Sequence, residues 1–319
     1  LKNTQIALIE KHGSDELPRQ TDGFHAYCGF LMLDIKPVLI SWKDIKNISK
    51  KEDLLLRINA LTTWEEFKSH PEEIVGIYGC ADFTRKIMSL IDIPIPHPID
   101  YNILPNSRAP IKLYNNLPGT ILEYNYFDRA IYREKIKQIP RFLSAKKWPI
   151  FIKPVEHKKF LPTIIKNHED YVKFIDSESN NISDETECWI QDKKTFQSEW
   201  RFYIFKKQIV GCANYLGDCT FLPDPDFVKR IISQYVSQPI AFTIDIGVIN
   251  NVMVTKSLQN TIFSGSQAKH SVVIEANDFI HIGNYGGIPD ELFAEMLMAR
   301  LKQLREEGIK NICKDQFIN

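Results

Sequence analysis

The chain of 319 residues has no Walker A loop and no G-x-G-x-x-G turn, and only 14 glycines in all. A glycine cradle of either of those kinds for phosphates is therefore excluded. Its six cysteines, at positions 28, 80, 188, 212, 219 and 313, include no C-x-x-C pair. Its eight histidines show no H-E-x-x-H spacing. Both patterns argue against a zinc site, and scattered thiols in a chain of this length read as reduced and mostly buried. Formal net charge is zero, with 40 basic and 40 acidic residues, which excludes a general polyanion-binding surface. No apolar run approaches the roughly 20 residues that span a bilayer. The first residues lack the charged-then-apolar layout of a secretion signal. A cytoplasmic protein is expected, with neither nucleic acid nor membrane as partner. The two S-x-x-K matches, "SAKK" and "SQAK", lack companion motifs and carry nothing.

What is present is alternation of strands and helices. "TQIALIE" and "EIVGIYG" are short apolar runs between turn residues, with "HAYCGFLMLDIKPVLIS" between them reading as a helix running into a strand. This is an α/β pattern that ends near the three prolines of "IDIPIPHP". "WPIFIKPV" is the next strand, followed by a helix that Asn167 can cap and by the strand "ECWIQDK". "EWRFYIFKKQIVGCANY" reads as a hairpin turning at Lys-Lys-Gln. "IAFTIDIGVI" alternates, with Thr243, Asp245 and Gly247 on one face. "PDELFAEMLMARLKQLREEG" is an amphipathic helix with a stripe of Leu292, Phe293, Met296, Leu297, Leu301 and Leu304, and Gly308 is expected just past its end.

Several of these strands bury charge. Lys153, the pair Glu199 and Arg201, Asp245, and the pair Glu275 and Asn277 each interrupt an apolar strand. Residues two apart in a strand share a face, so Glu275 and Asn277 stack on one side. Taken singly, Lys153 could snorkel from a strand end and Asp245 could pair with a neighbouring arginine. Taken together, two cations, three carboxylates and an amide suit a nucleoside triphosphate held with magnesium, which favours hard oxygen ligands.

In order and spacing, "FIKPV", "WIQDKKTFQSEWRFYI", "AFTIDIGVI" and "VVIEANDFIHIGNYG" resemble the ATP-grasp superfamily, within it the clade named for two arginines and a lysine. The likeness spans about residues 145–290, with a weaker one over "VGIYGCADFTRKIMSLIDIPIPHPIDYN". It implies an α/β and α+β architecture: an N-terminal pre-grasp lobe (residues 1–98), a connecting region (99–140), a small lid (141–195) and a C-terminal antiparallel-sheet domain (196–319). It implies ATP with two magnesium ions, and an ATP-dependent carboxylate–amine ligase working through an acyl phosphate. Lys153 would contact the adenine-proximal phosphates and Arg201 the β- or γ-phosphate. The Ile190–Lys193 backbone, which includes Gln191, would meet the adenine beside Trp189, and Glu199 would hold the ribose. Asp245, Glu275 and Asn277 would ligate the metals. Amides of Gly283 and Gly286 would approach the acyl acceptor, with Asn214 and Tyr215 lining its pocket. Arg108 would be either a clamp on substrate oxyanions or a solvated loop residue, and Arg230 reads as an exposed helix charge. The loop "VEHKKFLPT" lacks the glycines usual after the lysine-proline strand, so Lys158 or Lys159 would serve there. That departure keeps a second reading open, a nucleotide-binding or interaction module with reduced catalysis. The acceptor is either a small molecule or a peptide or protein, and a homodimer is the default assembly for such ligases.

Overall fold

The computed structural model describes residues 5–12, 21–62, 73–96, 99, 129, 131–145, 149–156, 159–178, 182–250 and 269–316. Arg108 and Lys158 lie outside the described residues. Three sheets organise the rest. The first is parallel, in the order β2-β1-β3, built from β1 (Ile6–Lys11), β2 (Lys36–Ser41) and β3 (Ile74–Tyr78). Ile6, Ala7, Leu8 and Ile9 are fully buried, as expected of a central strand covered on both faces. Helices α1 (Asp22–Met32), α2 (Trp42–Ile45), α3 (Lys51–Leu61) and α4 (Ala81–Leu90) surround this sheet. Thr21 caps α1 by accepting from the Phe24 amide at 3.3 Å.

The second sheet is antiparallel, in the order β4-β7-β5-β6, from β4 (Ile131–Lys135), β5 (Ile150–Pro154), β6 (Thr163–Ile165) and β7 (Glu187–Asp192). Helices α5 (Ile139–Ala145) and α6 (His168–Glu178) belong to the same segment. Asn167 caps α6 as its sequence suggests, accepting from the Asp170 amide at 2.9 Å. The sheet draws β4 from the stretch expected to be connection. Its "IYREK" has no run of apolar residues because Arg133 and Lys135 point out to the acids Glu187 and Glu185.

The third sheet, in the order β11-β10-β8-β9, contains the longest strands: β8 (Ser198–Phe205), β9 (Gln208–Gly217), β10 (Ala241–Asn250) and β11 (Lys269–Asp278). The β8–β9 hairpin turns at Lys206 and Lys207, with φ of 49° and 66°. Two positive φ values are what a tight primed turn needs to match strand twist. Helix α7 (Pro225–Gln234) packs Phe227, Val228, Ile231 and Ile232 into the cluster that holds Phe202, Ile244 and Ile246, on the opposite side of the sheet from Arg201 and Asp245.

The final helix, α8 (Asp290–Gln316), lies between the first and third sheets. Its apolar stripe divides between two cores: Phe293, Met296 and Leu297 join one, Leu301 and Leu304 the other. Gly308 is inside this helix and not past its end. A Cβ there would meet Pro94 at 2.8 Å, so glycine admits a close approach instead of stopping the helix. Gly29 in α1 has the same origin: a Cβ would sit 2.0 Å from the Asp290 carbonyl oxygen. Arg300 sits in the stripe itself, 5% exposed, and binds Asp278 at the end of β11 through Nε and Nη2, the latter at 2.6 Å. No described helix is long and apolar enough to cross a membrane, and the five described cysteines are free thiols.

Removing one partner of a buried ion pair strands the other charge. Arg300→Ala is expected to lower unfolding stability by about 3–5 kcal/mol, read from urea denaturation. Arg300→Met with Asp278→Leu is expected to recover most of that loss.

Candidate functional site

Cross-strand register in the third sheet assembles the charges. On one face Arg201 of β8 stands opposite Asp245 of β10, which stands opposite Glu275 of β11. Arg201 grips Asp245 in bidentate fashion, Nε to Oδ1 at 2.8 Å and Nη2 to Oδ2 at 2.7 Å. Glu275 accepts from Asn277 Nδ2 at 3.0 Å, the face-sharing pair expected from their spacing. Its other oxygen accepts from Lys153 Nζ of β5 at 2.7 Å, an ion pair that ties the second sheet to the third. One step further along this face, Thr243 is fully buried opposite Asn277, and its hydroxyl has no hydrogen-bond partner among the described residues.

The electrostatics follow from burial. Burial pushes the Asp245 carboxyl up to about 6, with Glu275 and Glu199 adding to the rise and the Arg201 guanidinium opposing it. Burial also works against Glu275, but Lys153 and Asn277 outweigh it and hold that carboxyl below its ordinary value. Arg201 is held charged, because the Asp245 carboxylate overrides its desolvation. Glu199 is half-buried and raised by burial, partly offset by a hydrogen bond from the Tyr215 hydroxyl at 2.9 Å.

Two bulges shape this face. In β11 the register slips between Glu275 and Val273, leaving Ile274 as the extra residue. Arg129 fills the carbonyls thereby freed, donating to Val273 O at 2.7 Å and Ile274 O at 2.8 Å, and its Nε donates to Gln191 Oε1. In β9 the slip falls between Asn214 and Leu216, so Tyr215 is the extra residue. Tyr215 thereby reaches Glu199 and stacks on Tyr285, ring centroids 5.3 Å apart. The Arg201 guanidinium lies 4.8 Å from the Tyr285 ring centre.

Lys153, Glu199, Arg201, Asp245, Glu275, Asn277 and Tyr215 thus come together. The other expected residues are placed as follows. Asn214 is engaged within its own strand pair: its Nδ2 donates to the carbonyls of Glu199 and Leu216, closing the β9 bulge. Trp189 is only 5% exposed, in the same core as Ile131, Phe202 and Val273, and presents no free ring. Ile190 and Gln191 lie within the sheet, in register with Tyr132 and Ile131 on one side and with Ile152 and Phe151 on the other. Gly283 is a packing residue, since a Cβ would sit 2.4 Å from Asp22 Oδ2, and its carbonyl accepts from the Tyr203 hydroxyl at 3.1 Å. Gly286, with φ of +71° and open space around it, remains at the loop tip. Arg230 is exposed beside Asp224, as expected of a helix-surface charge. Lys159 is likewise an exposed partner of Glu156.

Arg129 and Tyr285 were not legible as site residues. Arg129 sits in "FDRA", where no strand pattern flags it. Tyr285 does carry a signal: it lies between Asn284 and two glycines, and its own φ is 23°. Asn284 is 1% exposed and folds the loop on itself, bonding to Ile288 from both ends of its amide, while Asp22 accepts from its backbone N–H.

Among the described residues no three His, Cys, Asp or Glu side chains form a ready-made metal cage. The donors present nevertheless fit magnesium, which uses one or two carboxylates and completes its shell with phosphate oxygens and water.

The fold is that of an ATP-grasp protein: a parallel N-terminal sheet, a small antiparallel sheet and a larger one, with a lysine–carboxylate contact between the last two. The sequence model of the ATP-grasp domain, R2K clade family 2, matches residues 126–295, more than half of the chain, and the chain belongs to that family. A comparison with curated proteins finds no significant match. Among solved structures the chain is similar to a RimK domain ATP-grasp protein from Sphaerobacter thermophilus DSM 20745, at 13% identity and a TM-score of 0.49, covering 92% of this chain and 100% of that one. It is similar to the D-cycloserine synthetase DcsG at 10% identity and a TM-score of 0.49, covering 93% and 99%. For the D-alanine–D-alanine ligase from Bacillus anthracis complexed with ATP the values are 12%, 0.43, 95% and 99%.

Arg129→Ala leaves two bulge carbonyls and Gln191 without that partner, each lost contact worth about 1–3 kcal/mol where it stays buried. The expected result is a fall in unfolding stability of about 3 kcal/mol and faster amide exchange in β11 than in β8, measured by hydrogen–deuterium exchange.

Proposed function

We propose that this chain is an ATP-dependent carboxylate–amine ligase. The observation that carries the reading is the pair of contacts Arg201–Asp245, buried, and Lys153–Glu275, part-buried, in which two cations are neutralised by two acids aligned across neighbouring strands. Family membership supports ATP as the nucleotide. Lys153 and Arg201 would pass from carboxylate to phosphate oxygens when ATP enters, since both chemistries suit the same donors. Glu199, held by Tyr215, would accept from the ribose hydroxyls. Magnesium bound to the oxygens of Asp245, Glu275 and Asn277 would neutralise charge on the phosphate tail.

A substrate carboxylate oxygen attacks the γ-phosphorus, the bond to the bridging oxygen breaks, and ADP leaves. An amine nitrogen then attacks the acyl carbon, phosphate departs and the nitrogen loses a proton. The protein positions and screens charge and needs no nucleophile of its own. A small acid, an amino acid or a peptide end all meet this chemistry. The loop from Val155 to Leu161 contains no glycine, which favours the alternative of a nucleotide-binding module without turnover.

ADP release from Mg-ATP with a panel of carboxylate and amine pairs tests the proposal. Asp245→Asn and Glu275→Gln are each expected to cut turnover by about 10²–10³-fold while the melting transition stays cooperative. Turnover that survives both changes refutes the assignment, and magnesium-dependent stabilisation by ATP without ADP release identifies the module. The acidity of Asp245 sets a pH dependence. Its carboxyl is raised to about 6, so protons compete with the metal below that pH and ionisation favours binding above it. Magnesium-dependent stabilisation by ATP is expected to strengthen from about pH 5 to about pH 7 and then level off, as followed by thermal shift.

A further inference from the structure

A cavity of about 650 Å³ opens between α4 of the first sheet's lobe and the second sheet, outside the charge cluster described above. That is within the size range of small-molecule sites. Pro96 and Val155 supply apolar wall. The Val155 amide donates to the Glu187 carbonyl at 3.1 Å and so extends the β5–β7 ladder by one residue. Val155 therefore lies two residues beyond Lys153 on the same face, at the end where that strand leaves the sheet.

The charges lining the cavity are unequal in their pairing. Glu187 is bound by Arg133, Glu185 by Lys135 and Lys137, and Glu156 by Lys159 at 3.5 Å. Every lining acid is thus matched. Arg85 of α4 is the lining cation with no ion-pair or hydrogen-bond partner among the described residues, and its Nε is buried. A guanidinium donor withdrawn from water and left unmatched costs free energy that an oxyanion would recover. The planar fork of arginine fits a carboxylate with two parallel hydrogen bonds.

We propose that this cavity is the binding site for the carboxylate substrate, with Arg85 as the group that recognises its anionic end. The inference rests on the ligase reading for the identity of the guest, but the site is defined by the cavity and by Arg85 alone. An acid held there approaches from the Val155 end of the strand that carries Lys153. The matched acids around the rim bring no net negative charge to repel it.

Isothermal titration of the full chain without nucleotide tests this, using N-acetyl-alanyl-alanine, its C-terminal amide and inorganic phosphate as probes. The free acid is expected to bind at least about 10-fold more tightly than the amide. Arg85→Gln is expected to bring the acid down to the level of the amide, and Arg85→Lys to restore part of the difference. Because Arg85 has no partner to lose among the described residues, its substitution is expected not to lower the melting temperature and to leave ATP-induced stabilisation unchanged. Equal binding of acid and amide, absence of binding by the acid, or an acid affinity untouched by Arg85→Gln each overturns the proposal. Tighter binding of phosphate than of the acid, lost in Arg85→Gln, overturns the carboxylate assignment and makes this a phosphate site. No step of the titration involves ATP cleavage, so its failure and a failure to release ADP are separate results.

Discussion

Two carboxylates face each other across β10 and β11, and everything around them answers the problem of keeping both ionised. Asp245 and Glu275 are direct cross-strand partners. At about 5 Å and an effective dielectric of about 20, two like charges repel by about 3 kcal/mol. Burial adds to that cost for each of them. Lys153 outweighs that cost for Glu275 and Arg201 offsets part of it for Asp245, but they come from different places. Arg201 arises on the adjoining strand of the same sheet, whereas Lys153 reaches across from the second sheet. The position of one sheet against the other is therefore coupled to the ionisation of Glu275, and the contact between the sheets is also one that the proposed chemistry would use.

The two bulges perform the complementary task of aiming side chains. Regular alternation would place Val273 on the same face as Glu275. The extra residue Ile274 instead lets Val273 join the apolar cluster with Ile244 and Ile246, while Glu275 stays on the charged face. The exposed carbonyls on this edge strand are then covered by Arg129, whose third contact is Gln191 of the second sheet. In β9 the same device delivers Tyr215 to Glu199, and Asn214 satisfies the carbonyls. Both bulges sit beside charged residues, where an undistorted ladder would orient them wrongly.

What could be read from the chain alone was periodicity within one strand. The shared face of Glu275 and Asn277, the hairpin turning at Lys206 and Lys207, the Asn167 cap and the alternation of "IAFTIDIGVI" all depend on neighbours in sequence, and all are found in place. Relations between strands were not readable. That β7 is bordered on both sides, with Trp189 buried, is a fact of sheet order. The bulge at Tyr215 makes Asn214 structural and its neighbour part of the site, and no spacing rule separates the two. Gly308 fits a helix stop by local signals, but Pro94, more than two hundred residues earlier, gives the position its reason. Arg129 and Arg85 act through partners, or the lack of them, that only tertiary structure displays.

Charge balance explains how such a closed cluster could still admit a nucleotide. Glu199, Asp245 and Glu275 against Lys153 and Arg201 leave one negative charge in excess when all are ionised. A triphosphate tail carries roughly four negative charges, which two divalent ions offset in full. In the proposed ligase, loading both together would add no net charge: the cations would turn from carboxylate to phosphate and the carboxylates from cation to metal. Triphosphate without metal would bring its whole charge beside three acids, and metal without triphosphate would have to displace Arg201 and Lys153 with nothing to receive them. On that proposal, binding of the two would be interdependent through the same ion pairs that neutralise the cluster, and the neutral Asn277 and Thr243 would add oxygen ligands without disturbing that balance.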